Sequence, residues 1–215
     1  MRLVIFDLDG TITRRDTLGP YVAGFHARRP WRLWRAARAL PALLGFFLGR
    51  ADRGVLKGAL IHAVLGGHTR AELADWTGRF TARVIPRGTH AQALAAIEAH
   101  RAAGDVLVLL SASTDLYVPA FGKALGFGAV ICSGVRWDGE RLDGRLSTPN
   151  RRGPEKTRCL AQLRERYPGL STVAYADSAS DLDHLAAVDA PILVNPSAGT
   201  RRRGESLGMA MVRWR

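Results

Sequence analysis

"FDLDGT", residues 6–11, decides how the chain is read: it closes the apolar run "RLVIF" (2–6) and sets Asp7 and Asp9 two residues apart where that run stops. A short run rich in Val, Ile and Leu, without polar alternation, is the pattern of a strand buried on both faces. Four more follow, at "DVLVLL" (105–110), "AVIC" (129–132), "TVAYA" (172–176) and "PILVN" (191–195). They alternate with helical patterning at 89–104, 115–125, 154–167 and 180–188. Strands alternating with helices predict an α/β fold, a Rossmann-like parallel sheet covered by helices. Gly104 and Gly126 stand where helix C-termini favour glycine, and Pro154 stands where a first helical turn accepts proline. "VRWDGERLDGRLSTP" (135–149) carries two Asp-Gly turn signals between alternating residues and predicts a β-hairpin.

The gap between the first two strands breaks this alternation. Residues 17–86 show only helical patterning, with apolar clusters at 39–49 and 54–67. That is too much chain for one crossover helix, and it predicts an inserted helical cap (17–86), closed by "IPRG" (85–88), on a core formed by 1–16 and 87–215. Within it, "WRLWRAARAL" (31–40) puts Trp31, Trp34, Arg35 and Arg38 at helical spacing. The expected arrangement is an amphipathic cap helix with its tryptophans packed inward. The alternative is an interfacial helix that presents basic and aromatic residues to anionic lipid headgroups. The apolar run between Arg38 and Arg50 falls well short of the ~20 residues a spanning helix needs.

Composition narrows the class. At 215 residues and 47% hydrophobic, the chain is long enough for a domain with an insertion. Cys132 and Cys159 show no paired spacing, and the N-terminus has no signal-peptide pattern, so reduced thiols and a cytoplasmic location are expected, with peripheral contact to the inner face of a membrane as the alternative. The net charge of +12 is almost entirely arginine; lysine occurs only at Lys57, Lys123 and Lys156, and Lys123 reads as solvated. The arginines read as a solvated surface or as attraction to polyanions. No aromatic RNA-binding strand, GxxG clamp or zinc-finger spacing is present, so nucleic acid is not an expected partner. The six histidines show no metal-ligand spacing and read as surface or core residues.

Ligands of open parallel sheets bind beyond the carboxyl ends of the strands. Asp7, Ser111 and Asp177 each follow a different strand, and Asp181 lies four residues beyond Asp177 in "YADSASDLDHL". Carboxylates gathered on one rim repel each other and desolvate poorly unless a cation sits among them. An all-oxygen set, completed by waters and a phosphate, suits Mg²⁺.

"FDLDGT", "LLSAS" (109–113), the lysine of "GPEK" (153–156) and "ADSASD" (176–181), in that order, resemble the four motifs of the haloacid dehalogenase superfamily. An insertion between the first and second motifs resembles its phosphoserine phosphatase-like branch, and "YADS" with the later "VNP" is similar to a subgroup containing phosphatidylglycerophosphatase C-like proteins. The resemblance covers 1–17 and about 88–196 and leaves the insertion unread. It implies a Mg²⁺-dependent phosphomonoesterase acting through an aspartyl-phosphate, with Asp7 as nucleophile and Asp9 as general acid and base. Mg²⁺ would be held by Asp7, the Asp9 main-chain carbonyl and Asp177. Ser111 and Lys156 would bind the phosphoryl group, and Thr11 and Asp181 would support. A lysine in a first helical turn runs against the helix dipole, which marks Lys156. The fourth motif often reads GDGxxD, and Ala176 and Ser178 replace its glycines here. The phosphoserine branch has glycines where this chain has Ala112 and Ser113. Asp16, nine residues after Asp7, reads as a substrate contact or as an N-cap. A small soluble phosphorylated metabolite is the expected substrate. The alternatives are a lipid-headgroup phosphate at a membrane surface and, from another class, a basic binding module with a vestigial site.

Overall fold

A computed structural model gives the architecture and describes residues 1–27 and 30–215; Arg28 and Arg29 lie outside the described residues. The strands are β1 (Leu3–Phe6), β2 (Val106–Thr114), β3 (Ala129–Ser133), β4 (Val135–Asp138), β5 (Arg141–Leu146), β6 (Thr172–Ala176), β7 (Ala190–Val194) and β8 (Ala210–Val212). Six of them form a parallel sheet in the order β3-β2-β1-β6-β7-β8, and β4 pairs with β5 in an antiparallel hairpin. All five apolar runs became strands. The edge strand β8 was not expected, because three residues in a mixed C-terminal stretch carry no periodic signal.

Successive side chains of a strand point to opposite faces, and β1 is apolar on both. Leu3 and Ile5 join Val108, Leu110, Leu160, Leu163 and Ala174 on one side of the sheet. Val4 and Phe6 join Leu107, Leu109, Phe121 and Val173 on the other. The chain builds outward from β1 through β2 to β3, then returns to β6 on the other flank. Strand order therefore reverses beside β1, so the ends of β1 and β6 border the crevice where such sheets bind ligands.

The helices are α1 (Leu18–Phe25), α2 (Leu40–Phe47), α3 (Arg53–Leu65), α4 (Arg70–Gly88), α5 (Ala91–Ala102), α6 (Val118–Ala124), α7 (Pro154–Arg166), α8 (Leu182–Leu185) and α9 (Ala198–Ser206). The first four lie between Leu18 and Gly88, where the helical insertion was expected, and α5 follows them before β2. The start of α3 is fixed by Asp52, whose side chain accepts from Val55 N at 2.8 Å. The start of α4 is fixed by a capping box in which Thr69 and Glu72 bond each other's main-chain N–H.

Three local expectations are corrected. "IPRG" does not break the chain: it is the last turn of α4, which runs through Pro86 to Gly88. Only the first Asp-Gly pair turns the hairpin. The second lies within β5, where Gly144 (φ +90°) lets β5 press on α3; a Cβ there would stand 2.8 Å from His62 N. The "WRLWRAARAL" stretch belongs to a 3₁₀ segment, Pro30–Ala39, and its tryptophans face outward, Trp31 65% and Trp34 63% exposed. With three residues per turn, Leu33, Ala36 and Ala39 take the inward edge instead.

Candidate active site

One cavity of about 480 Å³ opens at the carboxyl ends of β1, β2 and β6, and Asp7, Asp9, Ser111, Lys156, Asp177 and Asp181 all line it. Three strand ends and the first turn of α7 thus bring together residues up to 174 positions apart in the sequence. Gly10 makes the convergence sterically feasible. Its φ is +81°, and a Cβ at that position would stand 2.3 Å from Asp177 Oδ2, so the backbone after β1 passes directly against the carboxylate from β6.

Lys156 Nζ donates to Asp7 Oδ1 at 2.7 Å and pairs with Asp181 Oδ1 at 2.8 Å, with its own side chain 3% exposed. Asp7, Asp177 and Asp181 each offer an oxygen within 4.8 Å of the other two. One ammonium among three carboxylates leaves the group short of positive charge. Burial and the neighbouring Asp181 and Asp177 push the Asp7 carboxyl up to about 8, against the opposing pull of Lys156. Burial and the Asp181 charge push Asp177 up to about 6. Burial also raises Asp181, but the charge and hydrogen bond of Lys156 outweigh it and hold that carboxyl below its ordinary range. Burial lowers Lys156, and Asp7 and Asp181 more than reverse this, keeping it charged. Hard oxygen donors, close spacing and an unmet negative charge fit a divalent cation such as Mg²⁺. The donor set visible here is Asp7, Asp177 and Asp181; the Asp9 carboxylate is not part of it.

Asp9 is held elsewhere. Its Oδ1 accepts from Thr17 N at 2.8 Å and Thr17 Oγ1 at 2.6 Å, and its Oδ2 accepts from Ser113 Oγ at 2.5 Å. Behind these stands the fully buried Tyr117, whose hydroxyl donates to Ser113 Oγ at 3.0 Å and lies 3.1 Å from Thr17 Oγ1. Burial raises the Asp9 carboxyl, and the Ser113 and Thr17 hydrogen bonds pull the other way. A carboxyl under opposed influences of this kind is suited to exchanging a proton.

Ser111 is buried at the cavity floor, where its Oγ accepts from Ser113 N at 3.0 Å. Thr11 is fully buried and does not line the cavity; its Oγ1 has no hydrogen-bond partner among the described residues. Asp16 precedes Thr17, the N-cap residue of α1; its Oδ1 accepts from Leu18 N at 2.9 Å, and the residue lines the cavity. Lys123 is exposed, as expected.

Lys57 went unnoticed in the sequence. It extends from α3 of the insertion, and its Nζ donates to Ala112 O at 2.7 Å and to Asn150 Oδ1 at 2.9 Å. No carboxylate pairs with it among the described residues, and burial lowers its pKa. It lies on the cavity wall together with Arg14, Arg15, Arg53 and Arg152. Its only sequence signal was the rarity of lysine in this chain, which marks Lys156 equally. Ser113 and Tyr117 were also missed; the serine in place of a motif-two glycine was the available hint.

The sequence profile of the haloacid dehalogenase-like hydrolases matches residues 4–186. Protein CicA of Caulobacter vibrioides is 33% identical over 190 residues, spanning 87% of this chain and 83% of that protein. Histidinol-phosphatase of Neisseria meningitidis serogroup C is 26% identical over 160 residues, 71% of this chain and 72% of the other. A crystal structure of a Bordetella pertussis Tohama I protein of unknown function superposes with a TM-score of 0.80 at 27% identity, covering 98% and 97% of the two chains. The family match runs from β1 to just past the end of α8 and so takes in every strand end that brings a carboxylate or hydroxyl to the cavity; with that likeness and this arrangement together, the chain belongs to the haloacid dehalogenase-like hydrolases and is a phosphatase of that family.

Proposed function

We propose that the protein is a Mg²⁺-dependent phosphomonoesterase whose substrate carries a second anionic group beside the phosphate. The observation that carries this reading is the pairing of two lysines across one cavity: Lys156 neutralised by Asp7 and Asp181, and Lys57 in no ion pair with a carboxylate among the described residues. The first is consumed within the reacting centre. The second, which the Asp9 and Asp16 charges offset only in part, offers its ammonium from the insertion side, where the part of the substrate beyond its phosphate would lie.

Asp7 acts as the nucleophile. Its Oδ1 is engaged by Lys156, so Oδ2 attacks phosphorus, forming an O–P bond as the bond to the leaving alcohol breaks. Asp9 gives its proton to the leaving oxygen. It then takes a proton from the water that attacks the aspartyl-phosphate, and inorganic phosphate leaves with Asp7 regenerated. Ser111 and Lys156 bind the phosphoryl oxygens. Mg²⁺, held by Asp7, Asp177 and the Asp9 main-chain carbonyl, with Asp181 as support, would neutralise charge on the transferring group. Thr17, Ser113 and Tyr117 fix where the Asp9 carboxyl stands.

A small soluble metabolite meets these requirements, and so does a phosphorylated lipid headgroup; the outward-facing aromatic and apolar segment 31–48 favours keeping the second reading. The test is hydrolysis of a panel of phosphate esters with Mg²⁺, with chelator, and with Asp7→Asn. Turnover should need the metal and fall to background in the variant while its circular dichroism stays native. Full activity in excess chelator, or in Asp7→Asn, sinks the reading.

A further inference from the structure

Six arginines and no acid lie between Thr17 and Ala51. In the 3₁₀ segment, three residues per turn sort this stretch into three edges. Leu33, Ala36 and Ala39 face the core. Arg32, Arg35 and Arg38 form a second edge, and Trp31 and Trp34 form the third, which Leu40 extends at the start of α2. The Arg38 guanidinium lies over the Trp34 ring at 5.4 Å from its centroid, so the basic and aromatic edges adjoin.

The next helix, α2, buries no residue at all. Leu40, Leu44, Phe47 and Leu48 are spaced i, i+4, i+7 and i+8, which places them on one helix face, and each is more than half exposed. Six of the nine large hydrophobic side chains that stand exposed among the described residues fall within residues 31–48. An apolar patch of this density marks an interaction surface.

We propose that this face, the aromatic and basic edges of 31–38 with α2, docks on an anionic phospholipid bilayer. Charge selects the occupant. A second copy of the chain placed on this face would oppose arginines to arginines, with no acid in the segment itself to relieve them. A soluble polyanion would satisfy the arginines and leave Leu44 and Phe47 in water. An anionic bilayer satisfies both: the apolar face enters the headgroup–acyl boundary and the guanidinium groups meet the lipid phosphates. At eight residues, about 12 Å, α2 is far too short to cross the hydrocarbon core and lies in the plane of the interface. No helix among the described residues is long and apolar enough to span. Six residues past the end of α2 the chain reaches Arg53, on the cavity wall, so docking sets the cavity close to the membrane surface. The docking itself needs no catalysis.

The test is sedimentation with vesicles of phosphatidylcholine alone and of phosphatidylcholine with an equal part of phosphatidylglycerol, using wild type, Leu44→Ser with Phe47→Ser, and Arg32→Gln with Arg35→Gln and Arg38→Gln. The serine pair alters a helix with no buried residue, and hydrolysis of 4-nitrophenyl phosphate verifies that it folds. Wild type should bind the anionic vesicles at least ten-fold more tightly than the neutral ones and release in 0.5 M salt. Each variant should lose at least ten-fold. Three outcomes overturn the proposal: no binding to anionic vesicles; binding that survives the serine pair, which makes it a plain polyanion contact; or a vesicle-free dimer abolished by the serine pair, which assigns the face to a second copy. Asp7→Asn should bind as wild type does, so failure of docking and failure of the catalytic reading are read separately.

Discussion

Replacing Lys57 with Met keeps most of the side-chain length and removes the charge, and it separates two roles the structure allows: a strap between insertion and core, or a recognition site for the substrate. As a strap, Lys57 ties α3 to Ala112 O and Asn150 Oδ1, and the variant forfeits two hydrogen bonds with a net value of about 0.5–1.5 kcal/mol each. Against this, burial lowers the lysine's pKa, the Asp9 and Asp16 charges offset that only in part, and no carboxylate pairs with it among the described residues, so removing the ammonium relieves a desolvation cost of similar size. The stability change should therefore be small, about 1 kcal/mol or less. As a recognition site, the ammonium meets an anionic group in a partly desolvated cavity, a charged hydrogen bond worth about 1.5–3 kcal/mol. At 1.36 kcal/mol per decade this is a loss of roughly 10- to 150-fold in kcat/KM for a substrate bearing a second anion. An aryl phosphate with no second anion should lose less than about three-fold on the same arithmetic. Thermal denaturation and steady-state kinetics on both substrate types make the comparison. Equal losses on the two types would refute the substrate assignment, and a large fall in melting temperature with unchanged kinetics would show that Lys57 is a strap only.

Gly10→Ala should both strain the backbone and displace Asp177: the left-handed φ costs about 1–2 kcal/mol, and the new Cβ would stand 2.3 Å from Asp177 Oδ2, so the Mg²⁺ concentration for half-maximal activity should rise well beyond what lost stability explains, as metal titration would show. A second substitution tests the core alone. Asp105 accepts from Arg2 N at 2.7 Å and Arg2 Nη2 at 2.8 Å and lies 2.8 Å from His100 Nδ1; burial raises its carboxyl, but these partners prevail and hold it at about 2. Because the folded value lies below the unfolded one, its contribution is present above pH 4 and is lost as the pH falls towards 2. Half-exposed Arg2 screens the pair, so the contribution is about 1–2 kcal/mol. Asp105→Asn should thus destabilise at pH 7 and converge on wild type near pH 2; a gap that persists at low pH would show that the cost is not electrostatic.

What the sequence determined by itself follows from local rules. Short unalternated runs rich in Val, Ile and Leu, set between helical stretches, pointed to strands buried on both faces, so the five core strands were legible, as were the acids placed where they stop. The insertion expected over 17–86 was legible because helical patterning alone fills a gap too long for one crossover helix. Tertiary structure decided what depends on meeting across distance. Ser113 and Tyr117 acquire a role only because β2 ends beside Asp9, and Lys57 only because α3 folds back over Ala112 and Asn150. The second Asp-Gly pair became a contact rather than a turn because β5 needed to approach α3. Trp31 and Trp34 point outward because the segment winds with three residues per turn instead of 3.6, which moves Leu33, Ala36 and Ala39 to the inward edge. A period inferred from spacing gives one face or another according to the pitch, and here packing against the core, not the spacing of the residues, set the pitch.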